Sequence, residues 1–399
     1  MLELEDALAR ILAALPAPRV ETVSLDAASG RIVAETITSP IALPPFDNSA
    51  MDGYAVRADD VSSAKKENPV RLRSKGKVVA GEIFTGNVAA GECVRIFTGS
   101  PLPRGTDAVV MQEDTRVEAP EEITVLDSVK PWENVRFRGE DVKLGGKLVE
   151  MGEPVTAARV AALAAAGVTQ VTVGREPLVA LLATGTELKK AGDPLAPGQI
   201  YESNRSALSV LARRAGAVPK IFPIIVDALD ETCAALEHAF AECDVVVTCG
   251  GVSVGEMDFV KPAFERLGGE LQFWKVAIKP GRPFVFGRRD GKFLFGLPGN
   301  PVSAFVTFLL LVRPALLRLQ GARGIALRSH PGVLAEPLSN SGGRRHFVRV
   351  TTDTLGRVRS SGIQASHILS SLASANGLVD VPPKTELSEG TNVEVLRWD

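Results

Sequence analysis

The chain has 399 residues, too many for one ordinary core, and at ~150 residues per domain two to four domains are expected. Hydrophobic residues make up 45% and charged residues 23%, a globular balance rather than a disordered one. Lys+Arg total 45 against Asp+Glu 47, a net charge of −2, which argues against bulk electrostatic binding to nucleic acid or to an anionic membrane. The opening residues carry Glu3, Glu5 and Asp6 where a secretory signal would carry basic residues, and they read instead as a helix with Leu4, Leu8, Ile11, Leu12 and Leu15 on one face, ended by Pro16 and Pro18. Short β-like runs follow at Val20–Leu25 and Arg31–Ile37. Between about 45 and 140 short strand candidates (Val94–Phe97, Ala108–Met111, Ile123–Leu126) alternate with Gly, Pro and Asp, which predicts a compact all-β unit. An Ala-rich helix over Thr156–Ala166, closed by Gly167, leads to a strand at Val168–Val173.

From 178 to 320 the rhythm changes. Strand-like runs at Leu178–Ala183, Ile221–Val226, Val245–Cys249, Leu271–Val276, Phe284–Phe286 and Phe293–Phe295 alternate with helices at Ser203–Ala215, Asp230–Glu242, Asp258–Leu267 and from Pro301. This predicts a doubly wound, mostly parallel sheet with helices on both faces. The longest uncharged stretch, Leu297–Val312, contains Pro298 and Pro301 and falls short of the ~20 apolar residues of a membrane span. The last ~75 residues return to short strands and predict a small β-barrel or sandwich. The four cysteines, Cys93, Cys233, Cys243 and Cys249, lack CxxC spacing and read as reduced thiols of a cytoplasmic protein with no zinc site.

In an open α/β sheet, ligands bind beyond the carboxyl ends of the strands. There the sequence places Thr184-Gly185-Thr186-Glu187, Asp227, the run Gly250-Gly251-Val252-Ser253-Val254-Gly255-Glu256-Met257-Asp258, then Lys275 and Lys279, and finally Gly296-Leu297-Pro298-Gly299-Asn300-Pro301. Glycines, carboxylates and lysines on one edge suit a phosphate cradle with a divalent cation. Each has a plainer reading as well: Asn300-Pro301 as N-cap and N1 of a helix, Asp258 as another N-cap, Asp227 as a turn residue, Asp52 in a hairpin turn, the lysines as solvated charges. The four histidines show no triad or metal spacing.

Several longer motifs carry a resemblance: Pro45-Phe46-Asp47-Asn48-Ser49-Ala50-Met51-Asp52-Gly53-Tyr54-Ala55-Val56, Phe97-Thr98-Gly99, Val109-Val110-Met111-Gln112-Glu113, Arg138-Gly139-Glu140-Asp141, Gly250 to Gly255, Ile278-Lys279-Pro280-Gly281-Arg282-Pro283 and Gly296 to Pro301. Over essentially the whole chain the sequence resembles the MoeA family of molybdenum cofactor biosynthesis, whose eukaryotic relatives are the E domains of gephyrin-type proteins. It departs at Thr186, where an acidic residue is expected, and at Met257, where a small one is. The resemblance implies a multidomain subunit: 1–44 with 141–175 as a discontinuous N-terminal helix and mixed α/β linker domain, 45–140 as a β-rich inserted domain, 176–325 as the α/β molybdopterin-binding domain, and 326–399 as a C-terminal β-barrel. It also implies a molybdopterin molybdenumtransferase reaction, in which adenylyl-molybdopterin and molybdate give the molybdenum-loaded cofactor and AMP with Mg²⁺.

Asp52, Glu187, Asp227 and Asp258 are then the catalytic carboxylates, with Glu187, Asp227 and Asp258 as metal ligands. Thr184, Gly250, Gly251, Ser253 and Gly255 would line the phosphate and pterin side; Lys275, Lys279, Pro298, Asn300 and Pro301 would receive molybdate, with Arg349 and Ser366 as further candidates. A homodimer is implied, in which Asp52 and Thr98 complete the partner's site, with hand-over to an adenylyltransferase and to molybdoenzymes. Two rivals are an adenylyltransferase or pyrophosphatase on the same α/β domain and a non-catalytic scaffold. The Gly250-Gly251-Val252-Ser253 turn differs from the Gly-Gly-Thr-Gly expected of the adenylyltransferases.

Overall fold

A computed structural model describes residues 1–252 and 258–398. Its centre is a six-stranded sheet in the order Val218–Ile225, Leu178–Thr184, Val245–Cys249, Lys292–Leu297, Val285–Arg289, Glu270–Trp274. The first four strands run parallel, Val285–Arg289 is antiparallel to both of its neighbours, and Glu270–Trp274 thus points the same way as the first four. Val245–Cys249 is buried along its whole length, as expected of a strand covered on both faces. One face packs Val179, Leu181, Val247 and Phe295 against the helices Asn204–Arg214 and Pro301–Thr307; the other packs Ala180, Leu182 and Val246 against Leu229–Glu242 and Val260–Arg266.

Two helices differ from the sequence expectation. The first, Leu4–Ala14, does not join the linker unit: its buried Leu4, Ala7 and Ile11 belong to the α/β core, because its apolar stripe meets Leu311, Val312 and Leu316 there. The helix from Pro301 runs on through a π-helical turn, Phe308–Val312, to Leu319. At 19 residues it is apolar enough to span a membrane by composition, and it is mostly buried as the core helix of this unit.

The linker unit is discontinuous. Val20–Ser24 pairs with Gln170–Gly174, and Ile37–Thr38 pairs with Lys147–Val149, over a core of Val33, Val149, Leu163 and Val173. Its helix Ala157–Ala165 is N-capped by the Thr156 hydroxyl, which accepts from the Arg159 N–H. Between the two halves lies a curled six-stranded sheet with Tyr54, Leu72, Cys93, Val110 and Ile123 inside. At the C-terminus, Arg345–Thr352, Arg357–Ser360, Arg328–Leu334, Asn392–Arg397 and Gly377–Val381 close on themselves as a five-stranded barrel. Ile278–Lys279, an excursion from the α/β unit, pairs in parallel with the barrel strand at Arg345 and His346. That pairing decides where the barrel's side chains meet the sheet rim.

Candidate active site

The carboxyl ends of the parallel strands open on a cavity of about 340 Å³ that gathers Thr184, Glu187, Asp227, Gly250, Gly251, Asp258 and Asn300. The two glycines are there for shape. Gly250 (φ +89°) and Gly251 (φ +66°) turn through backbone that side chains rarely adopt, and a Cβ on either would sit within about 3 Å of the Thr184 hydroxyl. The Gly250 N–H donates to the Leu297 carbonyl at 3.0 Å. Thr184 Oγ1 is buried and has no hydrogen-bond partner among the described residues, an unusual state for a polar atom and a vacancy suited to a ligand oxygen.

Asp227 is fixed by Thr186. Its Oδ2 accepts from the Thr186 N–H at 3.0 Å and hydroxyl at 3.2 Å. The residue that departs from the family pattern therefore orients a neighbouring carboxylate. Glu187 folds back over Gly185, whose Cβ would meet its carboxylate oxygens at 2.6 and 2.8 Å. Asp258 stands two residues before the helix Val260–Arg266, whose N-cap is Phe259, so it is not the cap. Its charge acts on Lys261, whose ammonium lies 3.5 Å from the Trp274 ring centroid. Asn300 and Pro301 do occupy N-cap and N1, but the Asn300 side chain makes no capping bond and is left to the cavity.

A second cavity, about 630 Å³, adjoins the first through Pro298 and Asn300. Its wall carries Lys279, Arg282 and Arg344, with Ser303, Gln364, Ser366 and His367, and no carboxylate among the described residues. Burial, and then the neighbouring Arg282, hold the Arg344 guanidinium below its usual pKa. Arg344 is braced by donating to the Ile278 carbonyl at 2.9 Å. The loop bearing Ser366 is tied to the helix start by the Val302 N–H, which donates to the Ser366 carbonyl at 3.2 Å. A third cavity of about 560 Å³, lined by Thr184, Glu187, Tyr201, Cys249, Asn300, Pro301 and His367, joins the other two. Such a chain of spaces can hold an elongated phosphorylated molecule at one end and a small oxyanion at the other.

Comparison with known proteins agrees with the geometry. Residues 2–167 match the MoeA N-terminal region (domain I and II), 180–318 the probable molybdopterin binding domain, and 331–398 the MoeA C-terminal region (domain IV). The molybdopterin molybdenumtransferase of Haemophilus influenzae is 40% identical over 388 residues, covering 94% of this chain and 93% of that one. The chain belongs to the MoeA family. Molybdopterin molybdenumtransferase 2 of Mycobacterium tuberculosis is 38% identical over 385 residues, 95% of this chain and 94% of its own. The molybdopterin biosynthesis MoeA protein of Pyrococcus horikoshii superposes with a TM-score of 0.86 at 36% identity, covering 100% of this chain and 99% of its own.

Not every residue singled out on sequence reaches these cavities in this MoeA-family chain. Lys275 adopts φ 76° and lays its ammonium 3.6 Å from the Trp274 ring centroid, outside the second cavity. Arg349 is fully buried behind the cavity wall and donates to Ser371 Oγ (3.1 Å), the Ile363 carbonyl (2.8 Å) and the Ala365 carbonyl (3.2 Å). It supports the loop that carries Ser366 and does not itself line the second cavity. Asp52 and Thr98 sit on the inserted sheet and line none of the three cavities. There Asp52 Oδ1 accepts from the Thr98 N–H and hydroxyl, both at 2.8 Å, and the amide bond above all holds its carboxyl below the usual range. Ser253 and Gly255 lie outside the described residues.

Sequence reasoning missed Arg282, Arg344, Gln364 and His367 in the walls, and Asn204, whose side-chain amide donates to the Gly299 carbonyl at 2.8 Å. Arg282 was within reach of it, standing inside the quoted Ile278–Pro283 motif.

Proposed function

We propose that this chain is a molybdopterin molybdenumtransferase of molybdenum cofactor biosynthesis, inserting molybdate into adenylyl-molybdopterin with release of AMP. The observation that carries the reading is the adjoining pair of cavities: one rich in carboxylates around a glycine turn, the other cationic, both lined by Asn300. Relatives at about 40% identity over nearly the whole chain bear that activity as their name.

In this reading the Thr184 hydroxyl, crowded by Gly250 and Gly251, donates to a phosphate oxygen of the adenylylated substrate. Lys279, Arg282 and Arg344, with Ser366, hold the tetrahedral molybdate dianion by charge-assisted contacts. Asn300 lies on the boundary and fixes the two substrates relative to each other, converting a bimolecular encounter into an oriented one. Mg²⁺ fits the donor set: Glu187, Asp227 and Asp258 offer only oxygen. No three acidic, histidine or cysteine side chains among the described residues close into a ligand cluster, so such an ion would have to take water and substrate phosphates as its remaining ligands. When bound, Mg²⁺ would offset the charge that develops on the phosphoanhydride as it is cleaved. Asp227, held by Thr186, and Glu187 would orient the water that attacks.

Asp52 is proposed to act in the partner's site of a homodimer, since within one chain it lines none of the cavities while Thr98 still orients its carboxylate. The four free cysteines fit a reducing, cytoplasmic setting. The test is anaerobic incubation of the purified protein with adenylyl-molybdopterin, Mg²⁺ and molybdate. Molybdate-dependent AMP release with formation of active cofactor is expected; ATP consumption with free molybdopterin, or AMP release indifferent to molybdate, would overturn the proposal.

A further inference from the structure

Behind the wall of the cationic cavity lies a histidine that the proposed chemistry does not use. His346 is 4% exposed, and both its ring nitrogens are buried without a hydrogen-bond partner among the described residues. Buried polar groups are nearly always paired, so an imidazole with neither nitrogen satisfied needs a reason. Its register partner across the parallel pairing is Lys279, and Arg344 stands two residues before it; both of these line the cavity.

The charged groups that act on the ring are Lys279, Arg349 and Arg344, all cations. On the antiparallel side His346 faces Val381, and the adjacent Asp380 is engaged by Arg345. Burial first, and then these cations, push the imidazole down to about 4, so it is neutral in the empty protein. A dianion in the cavity would offset the cationic part of this effect, since its charge opposes Lys279 and Arg344, which line the cavity.

We propose that His346 is a proton-linked positioning residue for the oxyanion: when a doubly charged tetrahedral anion occupies the cavity, His346 takes up one proton from solvent. The proton adds to a ring-nitrogen lone pair, no bond of the anion breaks, and the complex gains one positive charge behind its wall. The cavity then binds a multiply charged oxyanion better than a singly charged one of the same shape. This rests on reading the cavity as the molybdate pocket.

The experiment is calorimetric titration of the protein with inorganic molybdate alone, between about pH 6 and 8, in two buffers of different ionisation enthalpy. The expected result is net proton uptake that grows towards one at the acid end, with affinity rising by up to about tenfold per pH unit lowered. In His346→Gln binding should persist while the pH slope and the proton uptake vanish; His330→Gln, at an exposed position of the barrel strand Arg328–Leu334 that lines none of the cavities, should retain both. Should His346→Gln fold poorly, NMR of the four wild-type imidazoles decides, since molybdate must move the one buried ring towards the imidazolium shift. Zero proton uptake in the wild type, or an unchanged slope in His346→Gln, overturns the inference. Absence of molybdate binding at any pH overturns the pocket assignment as well, and so is told apart from failure of the proton linkage alone.

Discussion

Replacing Arg349 by methionine tests whether the barrel contributes its arginines as anion ligands or as structure. Arg349 is fully buried and its guanidinium reaches Ser371 Oγ and the carbonyls of Ile363 and Ala365. Methionine fills much of the same space but leaves those acceptors without donors, at ~1–3 kcal/mol for each one that water cannot reach. Partial solvent access in this loop and relief of the buried charge reduce the sum, so a net loss of about 2–4 kcal/mol is expected. Urea titration should show a lower midpoint at unchanged slope. Activity should fall with the ordered Ser366 loop, and excess molybdate should not restore it. Arg344→Gln is the counterpart, since Arg344 lines the cavity and makes one bond to the Ile278 carbonyl. It should change stability by less than about 1 kcal/mol yet raise the molybdate needed for half-maximal AMP release roughly ten- to hundredfold, the equivalent of ~1.5–3 kcal/mol. A stable Arg349→Met protein whose only defect is a raised molybdate requirement would refute the reasoning.

A mixed dimer of Asp52→Ala and Asp258→Ala subunits should recover one of its two sites if Asp52 serves the partner, so random pairing should restore roughly a quarter of the wild-type sites, measured as AMP release after dimer formation is verified. Thr98→Val removes the hydroxyl bond that helps hold the Asp52 carboxyl low, so the acid limb of the rate–pH profile should move to higher pH; an unmoved limb would detach Thr98 from catalysis. His346 also predicts acid sensitivity. Its folded pKa, about 4, lies below the unfolded value, so as pH falls from about 6.5 the unfolded chain takes up the proton first and stability drops. Up to about 3 kcal/mol should be lost by pH 4, and His346→Gln should flatten that part of the melting-temperature profile.

Much of the rim was legible because strand ends announce themselves. A Val/Ile/Leu run stops at Gly250-Gly251, another at Pro298-Gly299-Asn300, and doubly wound sheets put ligands at that edge. The barrel was legible only as a class. Arg344 and Arg349 are alike in sequence, and which one lines the cavity depends on strand register and on a parallel pairing with Ile278–Lys279 that no local pattern encodes. Lys275 was misplaced for a backbone reason: one residue in the left-handed region redirects the side chain onto Trp274. The first helix was read correctly from its stripe, but a stripe does not say which core will cover it.

The chain leaves and re-enters the linker unit side by side. Ile37–Thr38 pairs with Lys147–Val149, and the Leu43 N–H donates to the Val142 carbonyl at 2.7 Å just beyond. The whole curled sheet therefore hangs from a narrow two-stranded stalk, and a short turn could join the stalk's ends in its place. A protein trimmed in that way would keep every cavity described above while losing Asp52 and its Thr98 brace. It would separate what the three cavities bind on their own from what Asp52 adds, and it could accept unrelated β-modules grafted onto the same two strands.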